Sequence, residues 1–408
     1  MLLYTFYFFA AVSIYLGLLS LRGGARFVRY LQIEIAKDQP DYAPFATVFV
    51  PCRGVDDGLK ENILSLFAQD YPAFEIIFIS DSADDPAFAV IEEARRTYDH
   101  VTGPVIRTVV AGAATDTGQK VHNLRVAVTA ADSRSEVFVF TDTDARPPEF
   151  WLRFLVGSLK KPAAGAATGY RWFLPFKGGL AAYVQSVWNA AIASALGDNT
   201  EKNFCWGGAT AIRRSTFEKL RIAERWRGTV SDDFTLTRAL HEAGLPIKFI
   251  PQCLTPSYQR TSFRELFEFT TRQLKITRVY APQLWKSVPI GSAIFSLAFF
   301  GGLALVIVRV SIGLSFGTPL VLLLLIFAMG AMKSHLRLRQ IAMIIRDPRM
   351  RSFAMTIAHI TLWPVASLLF LFNAVAAGVS RRIKWRGITY ELKSSTETVI
   401  LSRESDKL

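Results

Sequence analysis

A chain of 408 residues exceeds one ordinary domain, so a catalytic-sized domain is accompanied by something else. The formal net charge of +13 invites a nucleic-acid partner. Yet the basic residues crowd against apolar segments, at Arg337, Arg339, Arg346, Arg349, Arg351, Arg381, Arg382, Lys384 and Arg386, so anionic membrane headgroups explain the charge more simply and no nucleic acid is expected.

Residues 1–21 are apolar and uncharged, the length of a helix that crosses a hydrocarbon core. The alternative is a cleaved signal peptide. No basic residue precedes the run, while Arg22, Arg26 and Arg29 follow it at once, which favours a retained span with the next residues on the cytoplasmic side. Over residues 22–261 short β-branched or aromatic runs alternate with helical stretches, predicting an α/β domain with a mainly parallel sheet. Strands are expected at 48–51, 75–80, 105–111, 136–144 and 246–251. Helices are expected over 58–72, 120–131 and 232–244, the first stopped by Pro72 and the last closed by Gly244. Cys52, Cys205 and Cys253 stand far apart with no CxxC spacing, so neither a zinc motif nor a disulfide framework is suggested and a reducing compartment fits.

Residues 262–286 set Phe263, Leu266, Phe267, Leu274 and Ile276 among arginines and lysines, the pattern of an amphipathic helix in the membrane interface. Membrane segments follow over 287–380, with two spans between 288 and 332 and a last apolar stretch, 353–380, interrupted by Pro364. Residues 381–408 read as a basic tail. Crossing once per stretch would leave that tail outside, against the positive-inside tendency, so a re-entrant path broken at Pro364 is expected to return it to the cytoplasm.

Three acidic groups are candidates for chemistry. Asp142 and Asp144 close a strongly apolar strand in FVFTDTDARP. Ligands of open α/β sheets bind beyond that end, and two carboxylates one residue apart suit a hard divalent cation, Mg2+ or Mn2+, bridging a diphosphate. A plain polar turn is the alternative. In SDSADDPA, Asp81, Asp84 or Asp85 can accept hydrogen bonds from a nucleoside, or Asp84 or Asp85 can cap the next helix. In VSDDFTLTRAL, Asp232 and Asp233 open a helix, where a carboxylate serves either as a cap or as a general base. Arg272, Lys275 and Arg278 on the interface helix can neutralise a leaving diphosphate or snorkel towards headgroups. Trp206, Gly207 and Gly208 in CWGGATAIRR offer a close backbone approach beside a ring able to stack on a sugar, or simply a turn into a strand.

The order of these motifs resembles glycosyltransferase family two, and within that likeness ceramide glucosyltransferase and related bacterial lipid glucosyltransferases. DDPA (84–87) resembles the acidic DPA stretch, KVHNL (120–124) the K-x-N-N-L run, and SDDF (231–234) the E-D-Y/F element. RQLKI (272–276) stands where the family has R/Q-x-x-R-W, so Lys275 and Ile276 replace Arg and Trp. KWRGITYEL (384–392) is similar to the closing W-R-x-G-x-Y-x-L. The resemblance implies a GT-A-like nucleotide-sugar-binding domain, N-terminal and C-terminal transmembrane helices, an inner-membrane location if the source is bacterial, and an inverting transfer from a UDP-sugar to a lipid acceptor. Asp81 or Asp84 would contact the uridine, with Lys120 and Asp142 in the donor-binding set. Asp142 and Asp144 would hold the metal, Asp233 would take the acceptor's proton, and Arg272 with Lys275 would steady the departing UDP. Trp206, Gly207, Gly208 and Asp232 would line the sugar or acceptor pocket. Two other functions compete: a processive polysaccharide synthase, and a membrane scaffold that keeps the fold without turnover.

Overall fold

The computed structural model describes residues 1–98, 103–176 and 179–404. The chain begins with α1 (Leu2–Ile35), β1 (Ala46–Pro51), α2 (Leu59–Phe67), β2 (Phe74–Ser80), α3 (Pro86–Thr97), β3 (Val105–Val110), α4 (Gln119–Thr129) and β4 (Val137–Phe140). Next come α5 (Trp151–Gly157), β5 (Ala166–Pro175), α6 (Leu180–Ala193), β6 (Thr210–Arg213), α7 (Arg214–Lys219), α8 (Ile222–Arg225), α9 (Asp232–Glu242) and β7 (Ile247–Gln259). After them run α10 (Phe263–Tyr280), α11 (Pro282–Ser296), a π-helical turn (Leu297–Gly301), α12 (Gly302–Ser311), α13 (Gly317–Ile344), α14 (Phe353–Thr361) and α15 (Trp363–Val379). The last strands are β8 (Arg382–Trp385), β9 (Ile388–Ser394) and β10 (Glu397–Arg403). These elements form two compact units.

The α/β unit holds Ile33–Phe173, Ala195–Gln259 and the chain from Arg381 onward. Strands β1, β2 and β4 are apolar on both faces, the pattern of strands covered on both sides. They occupy the middle of a seven-stranded sheet of order β3-β2-β1-β4-β6-β5-β7, parallel through β3, β2, β1 and β4, with β6 antiparallel to β4 and β5 antiparallel to β6. The chain travels outward from β1 to β3 and then returns to lay β4 on the other side of β1. This reversal opens a crevice beyond the carboxyl ends of β1 and β4, where open α/β sheets bind ligands. The stacked rings of Phe49 and Phe140, with Phe138 edge-on to Phe49, Trp226 edge-on to Phe140 and Phe217 edge-on to both Phe138 and Trp226, fill the core beneath it.

Two parts of this unit differ from expectation. Strand β5 was not foreseen, because GAATGYRWFLP carries small residues where a strand ordinarily shows β-branched ones; Gly169 sits there because a Cβ would lie 2.2 Å from the Cys253 carbonyl oxygen. Residues 381–404, expected as part of a basic tail, fold into strands. Strands β8 to β10 form an antiparallel sheet whose first hairpin turns on Arg386 and Gly387, both at positive φ, and which buries Ile388, Tyr390 and Leu392. The Gln119 amide donates to the Tyr390 hydroxyl at 3.2 Å, and Arg403 reaches Gln119 Oε1 and the Ala114 carbonyl.

The helical unit holds Met1–Gln32, Leu174–Ser194 and Arg260–Ser380. Helix α6, which the 22–261 assignment had placed in the α/β domain, belongs here. Its Ala181, Val184, Val187 and Trp188 pack with Leu266, Leu274 and Leu369. Among the described residues three stretches, Leu2–Ile35, Pro282–Ser311 and Gly317–Ile344, are long and apolar enough to cross a membrane. Helices α1 and α13 run parallel: a Cβ on Gly17 would meet Met329, Ser20 accepts from Lys333 at 2.6 Å, and Gln32 accompanies Gln340. Their carboxyl halves therefore gather Arg22, Arg26, Arg29, Lys333, Arg337 and Arg339 at one end.

Helix α10 opens with a capping box between Ser262 and Glu265, buries Leu266, Leu274 and Ile276, and ends at Tyr280, six residues short of the expected 286. Helices α14 and α15 meet at 56°, and the break falls at Leu362, with Pro364 in the first turn of α15. Trp363 lies against Phe295, while Ala374 accepts from Trp285 Nε1, so α15 runs antiparallel to α11 and finishes beside its start.

Candidate active site

Strand β4 delivers Asp142 and Asp144 to the crevice. Thr141 donates to the Gly208 carbonyl at 3.0 Å, and a turn closed by Ala145 N to Asp142 O holds both carboxylates near one point. A single guanidinium shows how near: Arg171 of β5 places one nitrogen 2.9 Å from Asp144 Oδ2 and the other 3.4 Å from Asp142 Oδ2. Its plane lies over Trp206, 4.9 Å from the ring centre. On the other side Lys120, near the start of α4, stands 2.8 Å from Asp142 Oδ1 and 3.2 Å from Asp232 Oδ1.

Burial opposes every charge in this group, and the partners decide the outcome. Desolvation would depress Lys120, but Asp142, Asp232 and Asp233 hold its ammonium above the ordinary value. Against the same burial, Lys120 and Arg171 hold Asp142 below the usual carboxylate range. Desolvation dominates at Asp144 and raises it despite Arg171. Asp232 is pushed up to about 6 by burial, partly offset by Lys120 and reinforced by Asp233 and Asp142.

Of the acidic pair at the start of α9, Asp232 does not cap the helix: it is 5% exposed and turns its carboxylate to Lys120. Room for that pair comes from Gly207, where a Cβ would sit 2.6 Å from Asp232 Oδ2 and 2.7 Å from Lys120 Nζ. The helix cap is Ser231, whose hydroxyl accepts from Phe234 N and donates to Asp233 Oδ1. Asp233 Oδ1 also accepts from Phe234 N at 2.7 Å. Gly208 lies against the Trp206 indole, which excludes a side chain there and fixes the ring beside Tyr170.

The second acidic group lies at the end of β2. Asp81 pairs with Arg53, and Asp84 stands exposed on the turn. The cap of α3 is Asp85, which accepts from Ala87 N at 2.9 Å and Gly54 N at 3.0 Å and so holds the loop after β1. Arg272 and Lys275 belong to α10 of the helical unit, where Arg272 lies over Phe269.

Sequence reasoning did not single out Arg171, Asp56 or Arg386 as site residues. Arg171 had a signal, an arginine inside the aromatic strand run GYRWF. Arg386 lies in the KWRGITYEL stretch, but only the folded hairpin brings it to Asp56, which it grips with two bonds of 2.7 and 2.6 Å. Thr143, between the two site aspartates, donates to the same Asp56 at 3.4 Å. Among the described residues no cluster of three or more His, Cys, Asp or Glu side chains is set to hold a metal. Asp142 and Asp144 nevertheless converge on one cation, the Arg171 guanidinium, and offer the hard oxygens that Mg2+ or Mn2+ takes.

Comparison with known proteins gives the family. Glycosyl transferase family 21 matches residues 5–398. A ceramide glucosyltransferase from Komagataella phaffii is 35% identical over 68 residues, which are 17% of this chain and 13% of that protein. A mannosyltransferase from Pyrobaculum calidifontis, solved with GDP-Man and Mn2+, aligns with 91% of this chain and 98% of its own at 16% identity and a TM-score of 0.46. Glucosyl-3-phosphoglycerate synthase from Mycobacterium tuberculosis, solved with Mn2+ and UDP-Glc, aligns with 62% of this chain and 82% of its own at 13% identity and a TM-score of 0.36. The motifs had pointed to family two with ceramide glucosyltransferase as a relative; the match that spans the chain carries the number 21. This protein belongs to glycosyl transferase family 21 and is a glycosyltransferase.

Proposed function

We propose that this glycosyltransferase moves a single sugar, glucose from UDP-glucose, onto the hydroxyl of a membrane lipid of the ceramide type, with inversion at the anomeric carbon and the α/β unit in the cytoplasm. The observation that carries the reading is the convergence of Asp142 and Asp144 on one cationic position in the crevice of a chain that also has three helices able to span a membrane. The short stretch shared with a ceramide glucosyltransferase supports the lipid and the sugar.

A divalent ion held by Asp142 and Asp144 would neutralise the donor's diphosphate as charge develops on it. Arg171, beside the two carboxylates, would offer the diphosphate a planar fork suited to phosphate oxygens. Lys120 adds charge from the amino end of α4, and Arg386 adds it from the hairpin. Arg272 and Lys275 are assigned to the departing UDP, and Asp81 and Asp84 to the uridine. Trp206 and the Gly207–Gly208 turn are assigned to the sugar pocket, where the bare Gly207 makes room for the Asp232–Lys120 pair.

Asp233 is the general base. Its Oδ1 is fixed by Ser231 and Phe234, leaving Oδ2 to accept the proton of the lipid hydroxyl as the bond to the anomeric carbon forms and the bond to UDP breaks. Asp232, paired with Lys120, holds the donor side. Membranes containing the protein, incubated with a panel of UDP-sugars and extracted for lipid mass spectrometry, test the proposal. A ceramide-type lipid heavier by one hexose, formed from UDP-glucose, is expected. A cell-bound polymer would favour a processive synthase, and donor binding without any product would favour a scaffold.

A further inference from the structure

The helical unit holds a half-open cavity of about 340 Å³, the size of a small-ligand site, among α1, α6, α11, α13 and α15. Lys333 and Arg337 line one end and no carboxylate lines any part of it. The Arg337 guanidinium is 6% exposed; one terminal nitrogen donates to the Ala190 carbonyl and the Ser194 hydroxyl, while its Nε has no partner among the described residues. Lys333 donates to Ser20. Deeper along α1, Ser13 Oγ is buried without a partner, as is Trp363 Nε1 on the opposite wall. Beyond them the lining is apolar, with Phe295 and Ile326.

Unmade hydrogen bonds in such a place are costly, and two cations without a counter-charge more so. Every orphan nitrogen here is a donor, so the missing partner supplies acceptors and negative charge. The spacing orders them. Trp363 packs where a Cβ on Gly330 would stand, one helical turn from Lys333. Ser13 lies two turns from Ser20, about 10 Å along the helix. A phosphate at the cationic end, neutral carbonyl oxygens a few atoms deeper and hydrocarbon beyond match that sequence. We infer that this cavity binds one anionic glycerophospholipid of the bilayer, its phosphate on Lys333 and Arg337, its ester carbonyls at Ser13 and Trp363, and an acyl chain against Phe295 and Ile326. The occupant is a resident lipid and not the sugar acceptor, so the inference stands independently of the proposed acceptor.

The test uses the full chain in nanodiscs of phosphatidylcholine doped with phosphatidylglycerol, followed by native mass spectrometry of the lipid that stays bound on release. Wild type is expected to retain one phosphatidylglycerol. Arg337→Gln and Lys333→Gln should each lower retention about tenfold, the usual effect of losing a charge-assisted hydrogen bond. Ser13→Leu obstructs the cavity without touching its charge and should also lose the lipid, which keeps the test sound if a change at buried Arg337 prevents folding. Retention equal in all variants, or no retained lipid in wild type, would overturn the site. Preferential retention of phosphatidylcholine, or of added ceramide, would overturn the anionic assignment. Addition of UDP-glucose should leave the bound lipid's mass unchanged; a gain of one hexose would make it the acceptor and overturn the resident role.

Discussion

Buried charge is balanced in opposite ways in the two units. In the α/β unit Lys120 and Arg171 interleave with Asp142, Asp144 and Asp232, so the protein supplies most of the compensation itself. In the helical unit Lys333 and Arg337 meet only hydroxyl and carbonyl dipoles. The contrast teaches where a ligand exchanges partners and where it completes them. On the proposed reading, donor and metal entering the crevice displace ion pairs already made, whereas a phospholipid entering the cavity satisfies groups that had none.

The sharpest way to break the comparison is to strip compensation from the crevice. Arg171→Ala leaves Asp142 and Asp144 facing each other with one cation fewer, and should cost about 3 kcal/mol, the low end for orphaning a buried charge. Denaturant titration of the α/β unit's tryptophan signal in the full chain measures it, and an unchanged midpoint would show that the carboxylates need no internal partner.

Next in size is Asp233→Asn, which should leave UDP binding intact and lower turnover about a hundredfold, the lower range for loss of a general base. Matched assays of UDP affinity and lipid product separate the two effects. A near wild-type rate would move the base to another residue.

A smaller effect distinguishes Arg386 from Asp56. If the hairpin arginine receives the donor diphosphate, Arg386→Ala should weaken UDP binding up to about fivefold, as expected for a partly exposed charge, while Asp56→Asn should hold or improve it. Equal losses in both variants, read by calorimetry, would reduce the pair to a structural tie.

The smallest expected signal is in pH. Asp232 is raised from 3.8 to about 6, so the protonated carboxyl favours the folded state; that contribution is full below the ordinary value and is lost as the pH rises through about 6. Above about 6 the ionised group pairs with Lys120, so kcat/KM should fall on the acid side with a midpoint near 6. Asp232→Asn should remove that limb, and an acid limb unmoved in the variant would assign it elsewhere.

Much of this architecture is legible in the residues. Apolar runs such as EIIFIS and FVF end in carboxylates, which placed Asp81 and Asp142 at strand ends, and the break near Pro364 was visible as a proline inside an apolar stretch. What stayed hidden depends on contacts distant in the chain. Arg171 and Asp144 are 27 positions apart, and Arg386 and Asp56 are 330 apart. Neither pairing has a local signature. The pairing of Asp232 with Lys120 was hidden for a similar reason: both carboxylates suit a helix start, and only the missing Cβ of Gly207 lets Asp232 turn inward to Lys120.

The central claim, one sugar passed to a lipid by a single displacement in this crevice, is tested most directly by the anomeric configuration of the product. NMR of the lipid formed from UDP-α-glucose should show one β-linked glucose per lipid. An α-linkage would contradict direct displacement assisted by Asp233, and a chain of sugars would contradict transfer of one residue.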